Sequence, residues 1–118
     1  MINHEQLIAI GLGKAGASLQ YPFDPNLPVL FVGSKMFALL GRTGTHESVN
    51  LKVVPEEAWL TRQQYPDAVL PGYHMNKKHW NTVVLNGTVP SDEVLDMLEQ
   101  SYRLVRNKLT RSERDSLE

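Results

Sequence analysis

PVLFVGSKMFALLGRTGTHESVNLKVVPEEAWL, residues 28–60, is the stretch that decides the fold class. Its first part reads as two short strands, roughly 28–33 and 36–41, turning at Gly33-Ser34. In its second part Val49, Leu51 and Val53 alternate with Ser48, Asn50 and Lys52, the period of a half-buried strand at roughly 47–54. Pro55, Glu56 and Glu57 then open a helix: proline suits the first helical position, and acids in the first turn complement the dipole. Three strands therefore follow one another with no helix between them. That grouping predicts an antiparallel sheet and an α+β domain.

Working outward, Asn3 with Gln6 three residues later forms a helix-start signal, and Leu7, Ile8 and Ile10 supply an apolar side before Gly11, Gly13 and Gly16 end the helix. QYPFDPNLP, residues 20–28, holds three of the seven prolines and reads as irregular. Downstream, the 55–64 helix ends at Tyr65-Pro66-Asp67, a short extended piece covers Ala68–Leu70, and Trp80–Leu85 reads as a strand closed by Asn86-Gly87. Ser91 is expected to cap a last helix whose Val94, Leu98, Tyr102, Val105 and Leu109 form one apolar stripe. The final residues, 110–118, alternate in charge and are expected to fray. The predicted order is α-β-β-β-α-β-β-α, in one domain spanning 1–118.

With 42% apolar and 21% charged residues the chain has the composition of a globular domain. No apolar run approaches the roughly 18 residues of a membrane span, and no basic segment precedes the apolar patch of the N-terminus. The absence of cysteine removes disulfides, thiolate catalysis and cysteine-ligated metals, and points to the cytoplasm. The net charge of −1 lacks the basic excess of a domain that grips duplex through phosphates, so any nucleic-acid site must be local.

Gly11-Leu12-Gly13-Lys14-Ala15-Gly16 matches G-x-G-x-x-G, but a dinucleotide site needs that motif after a strand and before a helix; here it follows a helix and precedes a proline-rich segment. His74 and His79 stand five apart with no carboxylate between Asp67 and Asp92, which leaves no metal set, and no cofactor is expected. No nucleophile, base and acid share a signature spacing, so no catalytic residue is assigned.

The one concentration of chemistry is GYHMNKKHWNTVVLNG, residues 72–87. Residues 68–91 contain no acid, while His74, Lys77, Lys78 and His79 fall within six positions. One reading is a small cationic patch with interleaved Tyr73 and Trp80, suited to phosphate contacts and stacking, which Lys35 and Lys52 on neighbouring strands would enlarge. The other is a helical turn at 76–79 with Trp80 as a core anchor and solvated lysines.

PGYHMNKKHWNTVVLNGTVP followed by SDEVLDMLEQSYRLVRNKL, residues 71–109, resembles the C-terminal signature of the MmcQ/YjbR family. KMFALL and VNLKVVPEEAWLTRQQYP resemble its strand–strand–helix core, and the likeness covers roughly residues 20–109. The H-x-N-K-x-H-W-x-T-V string, at His74, Asn76, Lys77, His79, Trp80, Thr82 and Val83, carries it. Where relatives have a short Leu-Pro-Gly run leading to an acid, this chain has GLGKAGASLQ. The resemblance implies a two-layer α+β fold like that of CyaY and the type III secretion chaperones, an antiparallel sheet of about five strands with helices on one face. It brings no catalytic residue or cofactor, and its common label is DNA-binding. Carried onto this chain, a weak, salt-dependent DNA contact would use Lys35, Lys52, His74, Asn76, Lys77, Lys78, His79 and Trp80. Two alternatives stay open: a protein partner docked on an open sheet face at Val49, Leu51 and Val53, or a small ligand held around His74, His79 and Asn81.

Overall fold

A computed structural model describes residues 1–72 and 75–117 of the chain. The elements are α1 (His4–Leu12), β1 (Ala17–Gln20), β2 (Val29–Val32), β3 (Lys35–Thr43), β4 (His46–Lys52), α2 (Pro55–Gln64), β5 (Val69–Pro71), β6 (Trp80–Val84), α3 (Ser91–Arg106) and α4 (Arg111–Asp115). The strands form one sheet in the order β1-β2-β3-β4-β6-β5, and every pairing is antiparallel. This is the predicted α+β architecture, with a sixth strand at one edge and a fourth helix at the end.

The helix starts follow from their caps. Asn3 accepts from the Gln6 backbone N–H while the Gln6 side chain accepts from that of Asn3, the reciprocal pair that satisfies two orphan donors. Pro55 opens α2 as expected. At α3 the boundary differs: Pro90 occupies the cap and Ser91 the first helical position, because the extended Pro90 backbone already supplies the carbonyl that receives the Val94 N–H at 3.0 Å. Gly11 lies inside α1 and does not end it. A Cβ there would stand 2.5 Å from Leu30 Cδ1, so glycine lets the helix lie close on the sheet.

The faces follow from the register. Leu40, Val49, Val83 and Val69 are consecutive cross-strand partners and all belong to the core, with Leu30, Ala38 and Leu51. Helix α3 lies across β2, β3 and β4, and its stripe of Val94, Leu98, Tyr102 and Val105 is buried as predicted, while Leu109, expected as the last member, is buried beyond the end of the helix. Val49 and Leu51 therefore lie beneath helices, which corrects their assignment to an open docking face. The face left open carries the complementary residues of the alternation, Ser48, Asn50 and Lys52.

A register shift between Leu30 and Phe31 leaves Phe37 as the extra residue on β3. Its ring packs edge-to-face on Tyr102, with centroids 5.3 Å apart. Its carbonyl accepts from the Ser101 hydroxyl at 2.6 Å, and the Ser101 hydroxyl oxygen in turn accepts the Lys52 N–H at 2.8 Å. One fully buried serine thus ties the bulge and the end of β4 to α3.

Residues 111–115, where charge alternation suggests fraying, form α4 instead. Thr110 caps it by accepting from Glu113 N–H, and Leu117 packs against the core.

Candidate nucleic-acid interface

The cationic residues meet at one end of the sheet. Lys52, the last residue of β4, pairs with Trp80, the first of β6, and the two share the open face. Lys52 Nζ lies 6.0 Å from the centre of the Trp80 ring. The next residue, Val53, donates its N–H to the His79 carbonyl at 2.8 Å, so the turn carrying Lys77, Lys78 and His79 is moored to the end of β4. Lys35 opens β3 at the same end, and Lys108 follows α3. The charges of Lys108 and Lys35 add to burial, the larger cause, in pushing the Lys52 pKa below its ordinary value. Among the described residues, none of these five lysines is ion-paired with a carboxylate.

The turn itself is built by polar side chains. Asn76 accepts the Lys78 N–H on its side-chain oxygen at 2.9 Å and the His79 N–H on its carbonyl at 3.1 Å. Behind the turn stands Arg62 of α2, donating from Nε to Asn81 at 2.7 Å, and from Nη2 to the Trp80 carbonyl at 3.2 Å and to the Lys77 carbonyl. Asn81 in turn reaches back to the Ala58 carbonyl.

Of the residues singled out in the sequence, Lys35 and Lys52 lie near enough for the charge of one to act on the other, while the turn carrying Lys77, Lys78 and His79 is joined to the same end of the sheet through its backbone. Asn76 shapes the turn. Trp80 is only 9% exposed, which favours the core-anchor reading over the stacking one; across the sheet it faces Gly72, where an added Cβ would meet that of Trp80 at 2.8 Å. His74 and Tyr73 lie outside the described residues. Asn81 belongs to the covered face and serves Arg62. Among the described residues no group of three or more His, Asp or Glu side chains converges as a metal set.

Sequence reasoning misses a second feature of the open face, a groove of about 420 Å³. Its floor is Ser48, Asn50 and Thr82 of the two central strands. Phe23 and Leu27 from the 21–28 loop form one wall, with Met36, Met75 and Arg42 around the rim. Thr82 donates to the Asn50 side-chain oxygen at 2.5 Å. The alternation of β4 marks Ser48 and Asn50 as the outward set; nothing local reveals that a proline-rich loop folds back beside them.

No helix among the described residues is long and apolar enough to cross a membrane. The sequence profile of the YjbR family matches residues 12–104. YjbR of Escherichia coli K12, described as uncharacterised, is 33% identical, covering 95% of this chain and 94% of its own length. The uncharacterised YyaQ of Bacillus subtilis is 34% identical, covering 90% of this chain and its own full length. Among solved structures, Deinococcus radiodurans protein DR2400, with domain DUF419, superposes with a TM-score of 0.88 at 38% identity over 96% of this chain and 86% of its own. A Pseudomonas syringae protein gives a TM-score of 0.75 at 31% identity over 87% of this chain and 98% of its own. A shared profile over most of the chain, together with a shared fold, makes this protein a member of the MmcQ/YjbR family.

Proposed function

We propose that the chain is a small, non-enzymatic cytoplasmic domain that binds nucleic acid weakly through its phosphate backbone, at the basic end of the sheet. The observation that carries this reading is the set of five lysines, Lys35, Lys52, Lys77, Lys78 and Lys108, carried at one end of the fold and, among the described residues, without an acidic partner. Uncompensated cations brought together this way repel one another, a cost that a polyanion relieves. The near-neutral net charge fits a local footprint and not a fully basic surface.

Fluorescence-anisotropy titration with labelled DNA at several salt concentrations tests it. Neutralising three to five phosphates gives a log–log salt slope of about −3 to −4.5. Lys77→Glu with Lys78→Glu lowers affinity and flattens that slope. Binding that ignores salt, or is unchanged in the double variant, overturns the proposal.

A further inference from the structure

The open-face groove has the composition of a site for one planar polar ring. Ser48 is 1% exposed and Asn50 5%, yet neither the Ser48 hydroxyl nor the Asn50 side-chain nitrogen has a hydrogen-bond partner among the described residues. Among the described residues no fully enclosed side-chain polar atom lacks a partner, so these two groups, which line the groove, open into it. Buried polar groups at the bottom of a cavity, aimed into it and unpaired, are what a polar ligand edge would satisfy. A hydroxyl gives and accepts a hydrogen bond, and the amide nitrogen gives two. Beside them stands the apolar wall of Phe23 and Leu27, with Met36 on the rim; Phe23 is 63% exposed.

The charges set the rest of the ligand. Lys52 lies two residues beyond Asn50 on the same face of β4, about 7 Å away at 3.3–3.4 Å per residue. A base seated over Asn50 would place its own backbone phosphate at that order of distance, within reach of Lys52. We infer that the groove receives a nucleobase, its edge read by Ser48 and Asn50 and its face covered by Phe23, so that the ligand is an unpaired nucleotide unit and the strand it belongs to is single. This rests on the phosphate-binding proposal above and adds to it. A base paired within a duplex keeps its edge and faces occupied and cannot enter. Splayed single-stranded bases are commonly held by aromatic stacking and edge hydrogen bonds.

The test is anisotropy titration of the full chain with four probes: a twelve-residue oligothymidylate, an abasic strand of equal length, the corresponding duplex, and free thymidine monophosphate followed through the Asn50 side-chain amide signals in ¹⁵N-labelled protein. The inference expects the oligothymidylate to bind at least about fivefold tighter than either the abasic strand or the duplex, with Phe23→Ala removing that advantage. Phe23 is exposed, so its replacement leaves folding intact. Ser48→Ala reports on the edge contact independently. Monophosphate that shifts the Asn50 amide and matches the strand in affinity supports the same groove chemistry and assigns it to free nucleotide. Abasic strand and oligothymidylate binding equally, with Phe23→Ala silent, overturns the groove inference and leaves backbone binding standing. No salt-sensitive binding to any strand overturns both.

Discussion

Arg62 donates through Nε to the Asn81 side-chain oxygen at 2.7 Å, and through this contact α2 supports the cationic turn on the far side of β6. The guanidinium also meets the carbonyls of Lys77 and Trp80, three acceptors no single-point donor could reach together. Asn81 is 4% exposed, so Arg62→Ala strands a buried acceptor and costs about 1–3 kcal/mol, read as a lower urea midpoint. Nucleic-acid affinity should fall as the turn loosens. Arg62→Lys preserves the charge without the fork; if it binds like the alanine variant, geometry and not charge is what Arg62 supplies.

Ser101 is the other hidden support. Its hydroxyl links the Phe37 carbonyl, freed by the bulge, to the Lys52 N–H. Ser101→Ala leaves both backbone groups short of a partner and is expected to destabilise the fold by about 2–3 kcal/mol. Amide hydrogen exchange at Lys52 should accelerate by more than exchange at Val83, a core position with no dependence on Ser101. Uniform acceleration would show the serine acting only through global stability.

Much of this was legible from residues alone, for identifiable reasons. The capping pair Asn3–Gln6, the Pro55-Glu56-Glu57 start and the Val94-to-Val105 part of the last stripe are local signals, and each helix appears where its signal lies. β1 was not legible: Ala17–Gln20 has no strand pattern of its own and becomes a strand by pairing with β2. Fraying was expected at the C-terminus because charge alternation carries no sign of Leu117, a single apolar residue that reaches the core. At the site, the lysines stood out by density, whereas Arg62, Lys108 and the Ser48–Asn50 floor depend on contacts between elements distant in sequence. Trp80 illustrates the limit. An aromatic among lysines suggests stacking, and only the register, which sets it opposite Lys52 and against Gly72, shows it enclosed.

Gly72 tests that enclosure. An added Cβ would stand 2.8 Å from the Trp80 Cβ and 3.0 Å from its carbonyl oxygen, both tied to backbone that cannot swing away. Gly72→Ala is therefore expected to cost about 1–3 kcal/mol by overpacking. The same change should alter Trp80 fluorescence, because the ring must shift; a variant of full stability with an unmoved spectrum would contradict the packing described.

The terminal helix offers a similar check. Leu117 covers Gly16, and Glu113 accepts the Ser34 N–H at 3.2 Å, so α4 closes over the β2–β3 turn. Ending the chain after Leu109 removes both contacts and should lower stability by about 1–2 kcal/mol, roughly what burying part of a leucine is worth. The thermal midpoint reads it directly. Retained stability would mean the helix rests on the surface without contributing.

Lys52 ties stability to the proposed function. Burial, then Lys108 and Lys35, hold its pKa below the ordinary 10.5 in the folded chain, while the unfolded chain has no such restraint. Between the lowered value and 10.5 the unfolded state binds more protons, so this group's contribution to stability rises with pH across that window. Below the window the charged ammonium is a full burden on the fold. Lys35→Gln or Lys108→Gln should raise the Lys52 pKa, followed by NMR of its Cε and Nζ nuclei. Bound phosphate should raise it further, making complex formation take up protons within the window. Lys52→Met keeps the stem against Trp80 and removes the charge; we expect it to stabilise the chain at neutral pH by under about 1 kcal/mol while weakening DNA binding. A variant that loses stability and keeps affinity would show that Lys52 is a packing residue and not part of the anion site.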